Sequence, residues 1–479
     1  MTETTEKPQE VEHDHLDEVV ELLRRHRLVE DLVPKQTGPR HELVENLVHK
    51  QHINELRKKL NEMHPADVAR VLEALPLEDR LLVWDLVKAE CDGEILLEVS
   101  DAVRESLIRT MDVDELIAAA ETLDTDEIAD LVPDLPTDVV QELLESLDAQ
   151  KRARLESTLA YPEDTVGARM DFDMVTVRAD VTLEVALRYL RRLGELPDQT
   201  DKLFVVGRDF QLAGVLPLSR LVVHDPEASV ASVMSDDHVA FHPEDEAAEA
   251  AQAFEKYDLV SAPVVDEFGR LIGRLTVDAV VDFIREETDA GILNLAGLRA
   301  EEDLFASVWR SVQNRWGWLA INLVTAFIAS RVIGLFEGTI EKLVALAALM
   351  PIVAGIGGNS GNQTITMIVR ALALGHINEE NAKRLVRKEI GVAALHGLIW
   401  GGVIGVVAWL LYGNIALGFV MTAAMTLNLL LAAIMGVTIP VVMHRFGRDP
   451  AVGSSVLITA LTDSGGFFIF LGLATVLLL

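Results

Sequence analysis

The chain has 479 residues, 50% of them hydrophobic and 25% charged, with a formal net charge of -34. That acidity has the wrong sign for a nucleic-acid binder, and the apolar fraction is high for a wholly soluble protein. The single Cys91 allows neither an intramolecular disulfide nor a C-x-x-C zinc pair, and no Walker P-loop, G-x-S-x-G or H-E-x-x-H occurs, so no enzyme is expected.

The charge is unevenly spread. Residues 301–479 hold 10 acidic and 11 basic side chains, while residues 1–300 hold the other 66 and 31. The first part should therefore face water and attract cations. The opening MTETTEKPQEVEHDHLDEVV lacks the basic and apolar regions of a signal peptide, which predicts a cytoplasmic N-terminus.

From about Leu16 to Leu159, apolar residues recur at helical spacing, as in HPADVARVLEALPLEDRLLVWDLV (64–87) and DTDEIADLVPDLPTDVVQELLESL (124–147). Both contain a Leu-Pro break. Short helical hairpins stacked as a solenoid of irregular period are expected, with an ordinary helical bundle as the competing reading.

From Asp171 the texture changes to β-branched runs alternating with helices, and it does so twice, in 174–222 and 238–284. Each copy predicts strand, helix, strand, turn, strand, helix. The pattern, and above all the run E-F-G-R-L-I-G-R-L-T-V in the second copy, resembles a tandem pair of CBS domains, modules that gate channels and enzymes by sensing a ligand. The stretch 277–298 then predicts a helix leading toward the membrane.

Five apolar stretches follow: Trp316–Phe336, Leu343–Val369, Ile390–Tyr412, Ile415–Met443 and Ala451–Leu479. Each exceeds the roughly 20 residues that cross a hydrocarbon core. The connections 373–389 and 444–450 carry Lys383, Arg384, Arg387, Lys388, Arg445 and Arg448, whereas 337–342 has only Lys342 and 413–414 has no charge. The asymmetry predicts a cytoplasmic N-terminus and an outer C-terminus.

Inside these stretches the residues are unusual. PIVAGIGGNSGNQT (351–364) puts Pro351, Gly355, Gly357, Gly358, Gly361 and the oxygens of Asn359, Asn362, Gln363 and Thr364 at membrane depth. Irregular backbone there belongs beside a water-filled cavity, and a small-residue packing face is the alternative. Asp463 stands alone near the centre of the fifth stretch, flanked by Thr459 and Thr462, and such a carboxylate marks an ion pathway. An all-oxygen set suits a hard cation, and a wide site could hold Mg²⁺ with its waters retained. A two-fold dimer would bring two Asp463 carboxylates to one axis. Asn322 and Asn428 read as interhelical glue, and His396 as packed and neutral.

These residues resemble the MgtE family of bacterial magnesium transporters. The carriers are P-I-V-A-G-I-G-G-N-S-G-N-Q (351–363), W-L-A-I-N-L-V-T-A-F-I-A-S (318–330) and T-A-L-T-D-S-G-G (459–466). The resemblance implies a homodimeric, Mg²⁺-selective channel of the bacterial inner membrane, with Asp463 as the pore carboxylate. Asn359, Gly357 and Gly358, with Thr459 and Thr462, would line the pore. It further implies closure by cytoplasmic Mg²⁺ bound among acidic residues, here Asp258, Asp282, Glu286, Glu287 and Asp289, and allows ATP in the cleft of the CBS pair. The chain departs from the expected pattern at Ala247, Ala248, Ala279 and Ala290-Gly291, where more carboxylates would stand.

The expected architecture is a multidomain membrane protein. Residues 1–165 form an α-helical solenoid N-domain with a flexible extreme N-terminus, and 166–275 a tandem α/β CBS pair with copies at about 166–228 and 229–284. A connecting helix takes 277–312, and a transmembrane domain of five helices takes 313–479. Mg²⁺, the bilayer and a second copy are the expected partners, with no nucleic acid. Two alternatives to a channel remain at this point: a proton-coupled divalent carrier, and a membrane-anchored Mg²⁺ sensor without transport.

Overall fold

Helix caps recur through the first part of the chain at a fixed interval. The computed structural model describes residues 8–32, 41–298, 303–373 and 379–479. The expected flexible N-terminal stretch 1–7 and the part 374–378 of the expected loop 373–389 lie outside the described residues. The chain divides into two units, Met1–Glu286 with Asp303–Ala306, and Glu287–Glu302 with Ser307–Leu479.

In the first unit, N-caps fall at Pro76, Ser100, Asp124 and Asp148, and a second series at His64, Lys88, Asp112 and Pro136, each series stepping by 24 residues. The period is thus regular where an irregular one is expected from the sequence; the cap residues differ in type, which hides it. Asp112 closes a two-way capping box, its Oδ1 accepting from Glu115 N at 2.9 Å while its N donates to Glu115 Oε2 at 3.0 Å.

Four residues past three of these caps stands an arginine that reaches back to the end of the preceding helix. Arg80 donates to Leu72 O and Leu75 O, Arg104 to Leu96 O and Val99 O, and Arg152 to Glu145 O and Leu147 O. Helix-end carbonyls lack intrahelical donors, so each guanidinium satisfies the turn before it. The fourth such position is Ile128, which is fully buried in the core with Leu72, Ile95, Leu107 and Leu143.

The α/β part contains β1 (Thr176–Arg178), β2 (Lys202–Val206), β3 (Leu212–Pro217), β4 (Ser261–Val265) and β5 (Leu271–Thr276). β1 pairs parallel with β2, and β2 antiparallel with β3; β4 and β5 repeat the antiparallel pair with a register shift at the equivalent place, Val205/Val206 and Val264/Val265. Phe210, at φ 58°, matches Gly269, at φ 73°, and the two turns meet through Leu212 N to Gly269 O and Leu271 N to Phe210 O.

The strand expected at the start of the second copy is reduced to one bridge, Phe241 with Val264. Just beyond it Pro243 has no N–H to extend the ladder, and His242 and Asp245 turn the chain toward the helix Ala247–Tyr257. The helix Val277–Ala296 ends at Gly297, whose φ of 74° stops it well short of the expected residue 312.

Among the described residues, four helices of the second unit are long and apolar enough to cross a membrane: Val308–Gly334, Glu379–Tyr412 (over its part Lys383–Tyr412), Ile415–Arg445 and Ser454–Leu478. A further long helix, Ala345–Ala373, has 29 residues and contains the 351–364 stretch. These five are here the first to fifth long helices in the order 308–334, 345–373, 379–412, 415–445, 454–478. Expected outer connection 337–342 is itself the short helix Glu337–Lys342, and the third long helix starts at Glu379 rather than near 390.

The fourth helix packs against the second, third and fifth. Glycine spacing explains its contact with the third: Gly397, Gly401 and Gly405 lie against Thr426, Thr422 and Gly418, and Thr422 Oγ1 donates to Gly401 O at 3.0 Å. Small residues at such spacing let helix backbones approach in lipid. The first helix packs on the fifth and leaves Trp309, Trp316, Leu319, Leu323 and Phe327 exposed.

Candidate functional site

The glycine-rich stretch does not break its helix. Ala345–Ala373 runs unbroken through Pro351 and Gly361. This corrects the expectation of irregular backbone: Pro351 lies in the second turn, where its missing N–H frees one carbonyl near the helix start, and the glycines serve close packing instead. A Cβ built at Gly361 would fall 2.4 Å from Ile458 Cγ1, one at Gly358 3.6 Å from Thr462 Oγ1, and one at Gly357 2.2 Å from Asn428 Nδ2. The second helix thus crosses the fifth at 357–361 against 458–462, with the fourth beside them.

Of the residues named from sequence, Gly357, Gly358 and Thr462 are buried in that crossing, whereas Asn359 and Thr459 are exposed. Thr462 Oγ1 donates to Ile458 O and Thr459 Oγ1 to Ser455 O, so both hydroxyl protons are used within the helix. Asp463 is partly buried, and no hydrogen-bond or ion-pair partner meets it among the described residues.

Glu389, expected from the sequence in the connection 373–389, is instead a buried carboxylate of the third long helix. It is 4% exposed, accepts a weak bond from Thr364 Oγ1 at 3.5 Å, and meets Lys388 Nζ at 3.4 Å. It therefore packs the start of the third helix against the polar end of the second.

The acids named for regulation are dispersed. Asp258 caps Ala247–Tyr257 in the left-handed region and is exposed. Glu286 accepts from Arg169 Nη2 at 2.7 Å. Asp282 is exposed on its helix, and loss of water around its carboxyl, then the charges of Glu98 and Glu286, hold that group above its ordinary range. Glu287 and Asp289 are exposed on the same helix, in the part grouped with the second unit. Among the described residues no three His, Cys, Asp or Glu side chains converge as a ready-made metal cluster.

A cavity of about 450 Å³ in the first unit gathers acids that sequence reading missed. Asp124, Asp126 and Glu127 come from the helical part, and Asp171, Asp173 and Asp198 from the α/β part, with Arg274 the only basic side chain on the wall among the described residues. Arg274 is tied down by Asp171 Oδ2 at 2.7 Å and Asp198 O at 2.8 Å. Burial, and then the Asp171 charge, push the Asp126 carboxyl up to about 8. Such a wall attracts cations and repels phosphates. The motifs D-T-D-E and D-F-D were visible in the sequence, but their meeting across some 45 residues was not.

Long apolar helices following a large acidic helical and α/β part define a membrane protein with a substantial water-facing region. Family models match the chain as MgtE intracellular N domain at residues 63–164, CBS domain at 230–286 and Divalent cation transporter at 350–473. Among similar proteins, the magnesium transporter MgtE of Thermus thermophilus is 32% identical over 441 residues, covering 88% of this chain and 95% of the relative. That of Bacillus subtilis is 29% identical over 435 residues, covering 88% and 94%. A solved cytosolic domain of the Mg²⁺ channel MgtE in complex with ATP is similar at 32% identity and TM-score 0.45, covering 50% of this chain and 98% of that one. The chain belongs to the MgtE family of magnesium transporters.

Proposed function

We propose that this protein is a Mg²⁺-selective channel of the bacterial inner membrane, with Asp463 as the carboxylate that holds a hydrated divalent ion. The observation that carries this reading is Asp463 itself, a partly buried carboxylate on an apolar helix, without a partner among the described residues. A charge in such a helix is expensive unless it serves an ion. Asn359, Gly357, Gly358, Thr459 and Thr462 belong to the same path. Asn359 is exposed and Asp463 only partly covered in one copy, which supports a path on the two-fold axis of a homodimer.

In this reading the five long helices all cross the bilayer, with the N-terminus cytoplasmic and the C-terminus outside, following the Lys and Arg of the connections. The domain limits are those expected from sequence, with the connecting helix shortened to Ala296. The 24-residue series of caps supports a stacked-hairpin solenoid for the N-domain. Cytoplasmic Mg²⁺ bridges carboxylates of the first unit and holds the pore closed, and loss of the ion lets like charges separate. The acidic cavity joins Asp258, Asp282, Glu286, Glu287 and Asp289 as the place for such ions. ATP is a second regulatory ligand in this reading, and equilibrium dialysis with ATP tests it.

The decisive experiment reconstitutes wild type and Asp463→Ala in liposomes and measures Mg²⁺ flux under an imposed voltage and, separately, an imposed pH gradient. Flux that follows voltage and the Mg²⁺ gradient, and is lost in Asp463→Ala, is expected. A requirement for the pH gradient would make the protein a proton-coupled carrier, and unchanged flux in the variant would remove Asp463 from the path.

A further inference from the structure

Trp318 lies in the first long helix and opens the stretch 318–330, which the proposed ion path does not use. Its indole is partly buried between two glycines from other parts of the second unit. A Cβ built at Gly297 would fall 1.3 Å from Trp318 Nε1 and 1.9 Å from Cδ1, and one at Gly453 would fall 3.2 Å from Cη2. The five-membered ring therefore lies on Gly297, the six-membered ring reaches Gly453, and the indole spans the gap between them.

Both glycines are helix ends. Gly297, at φ 74°, is the left-handed residue of a Schellman turn that closes the helix Val277–Ala296: Leu298 N donates to Leu293 O at 2.9 Å and Gly297 N to Asn294 O at 3.0 Å. Gly453, at φ 80°, is the N-cap of the fifth long helix, which carries Asp463. A second link runs beside the wedge. Asn294 Nδ2 donates to Asp449 Oδ2 at 3.2 Å, and Asp449 Oδ1 accepts from Ala451 N at 2.8 Å. The last turn of Val277–Ala296 is thus joined at two points to the segment 449–453 that starts the fifth helix.

We infer that Trp318 is a positioning residue of the pore: its indole carries displacement of the helix Val277–Ala296 to Gly453, and thereby moves the fifth helix and Asp463. The inference rests on the channel and Mg²⁺-closure reading above and names the side chain that couples the two. Val277–Ala296 begins in the first unit, with Asp282 and Glu286, and ends in the second at the wedge. Ten helical residues separate Gly453 from Asp463, a rigid span of about 15 Å. Close-packed contacts transmit a shift because they do not compress, and helix shifts of about 1–2 Å are enough to switch a packed interface. An indole suits this task, being large and having only two rotatable bonds.

The test measures Mg²⁺ flux in liposomes, oriented with the first unit inside, over a range of internal Mg²⁺. Wild type, Trp318→Ala, Trp318→Phe and Asn294→Ala are each taken from the monodisperse fraction in detergent. Two quantities are read: the flux at the lowest internal Mg²⁺, and the internal concentration that halves it. Trp318→Ala should keep the first near the wild-type value and raise the second about tenfold, the scale of a typical coupling between sites. Trp318→Phe, which keeps a ring against Gly297, should raise it about threefold and carries the test if alanine prevents folding. Asn294→Ala should shift it in the same direction by less than Trp318→Ala, because the ring contact remains. A half-closing concentration unchanged in both Trp318 variants, while wild type closes, would overturn the inference and leave Trp318 a packing residue. Loss of flux at every internal concentration would overturn it too, since coupling alone would not be affected. Wild type that stays open at all internal Mg²⁺ would instead overturn the closure reading, and the inference with it.

Discussion

Arg80 and Asp303, 223 positions apart in the sequence, meet as a forked ion pair, Nη1 to Oδ2 at 2.8 Å and Nη2 to Oδ1 at 3.2 Å. The arginine side chain is 0% exposed and the aspartate 11%. Because Arg80 also holds Leu72 O, Leu75 O and Ser106 Oγ, one guanidinium ties two helices of the first unit to the short segment Asp303–Ala306.

Removing the acid should therefore cost more than removing the pair. Asp303→Ala leaves a buried guanidinium short of its counter-charge and should destabilise the first unit by about 3–5 kcal/mol. The double variant Arg80→Met with Asp303→Ala should lose less. Hydrogen exchange in the helices Pro65–Ala74 and Asp101–Ile108 reads this directly; equal protection in Asp303→Ala and wild type would show the pair to be dispensable.

Asp126 makes stability depend on pH in a direction opposite to that of a salt-bridged carboxylate. Its ordinary value is 3.8 and burial lifts it to about 8 in the folded protein. Between those values the folded chain binds more protons than the unfolded one, so stability falls as pH rises through this window. In the absence of divalent ions, the unfolding temperature should drop from about pH 5 to about pH 8, and Asp126→Asn should flatten the slope. Mg²⁺ entering the cavity would displace this proton, so it should stabilise wild type more at the upper end of the range than at the lower. A slope unchanged in Asp126→Asn would remove this carboxyl from the explanation.

Gly361 offers a test of the crossing that leaves the proposed ion ligands untouched. A Cβ there lies 2.4 Å from Ile458 Cγ1, and Ile458 is fully buried. Gly361→Ala should destabilise the second unit by about 1–3 kcal/mol and reduce flux, and adding Ile458→Ala should restore much of both. Rescue is measured by thermal unfolding in detergent and by liposome flux; a double variant no better than Gly361→Ala would mean that the two side chains do not meet.

The proposed closure by cytoplasmic Mg²⁺ can be tested separately from conduction. Neutralising Asp258, Asp282, Glu286 and Glu287 together should leave flux high at millimolar internal Mg²⁺, where the proposal expects wild type to close. Persistent closure in that variant would transfer control to the cavity carboxylates Asp126, Asp171 and Asp173.

Much of this was legible in the sequence, for physical reasons that differ by region. Apolar runs long enough to cross a bilayer must be read as helices whatever their partners, and the solitary Asp463 is conspicuous because nothing around it in sequence balances it. The doubled α/β pattern survives because the alternation of strand and turn is local, although Pro243 shortens one strand to a bridge. What sequence hides is convergence. Asp126 and Asp171 belong to different parts of the fold, Glu389 looks like a loop residue until its helix is seen to start at Glu379, and the seat of Trp318 between Gly297 and Gly453 needs three helices to define it. The stretch 351–364 misled in one respect. Glycine and proline advertise a break, yet in tightly packed helices glycine is chosen for the room it gives a neighbour.

The arginines of the helical series carry one more consequence. Positions 80, 104 and 152 are occupied by arginine, and the remaining position of the same register holds Ile128. That helix is the one whose Asp124, Asp126 and Glu127 face the acidic cavity. The repeat thus omits its cationic rivet on the one rung whose acids line the cavity and seats an apolar core residue there instead, which in the Mg²⁺ reading proposed above keeps an added positive charge away from the ion.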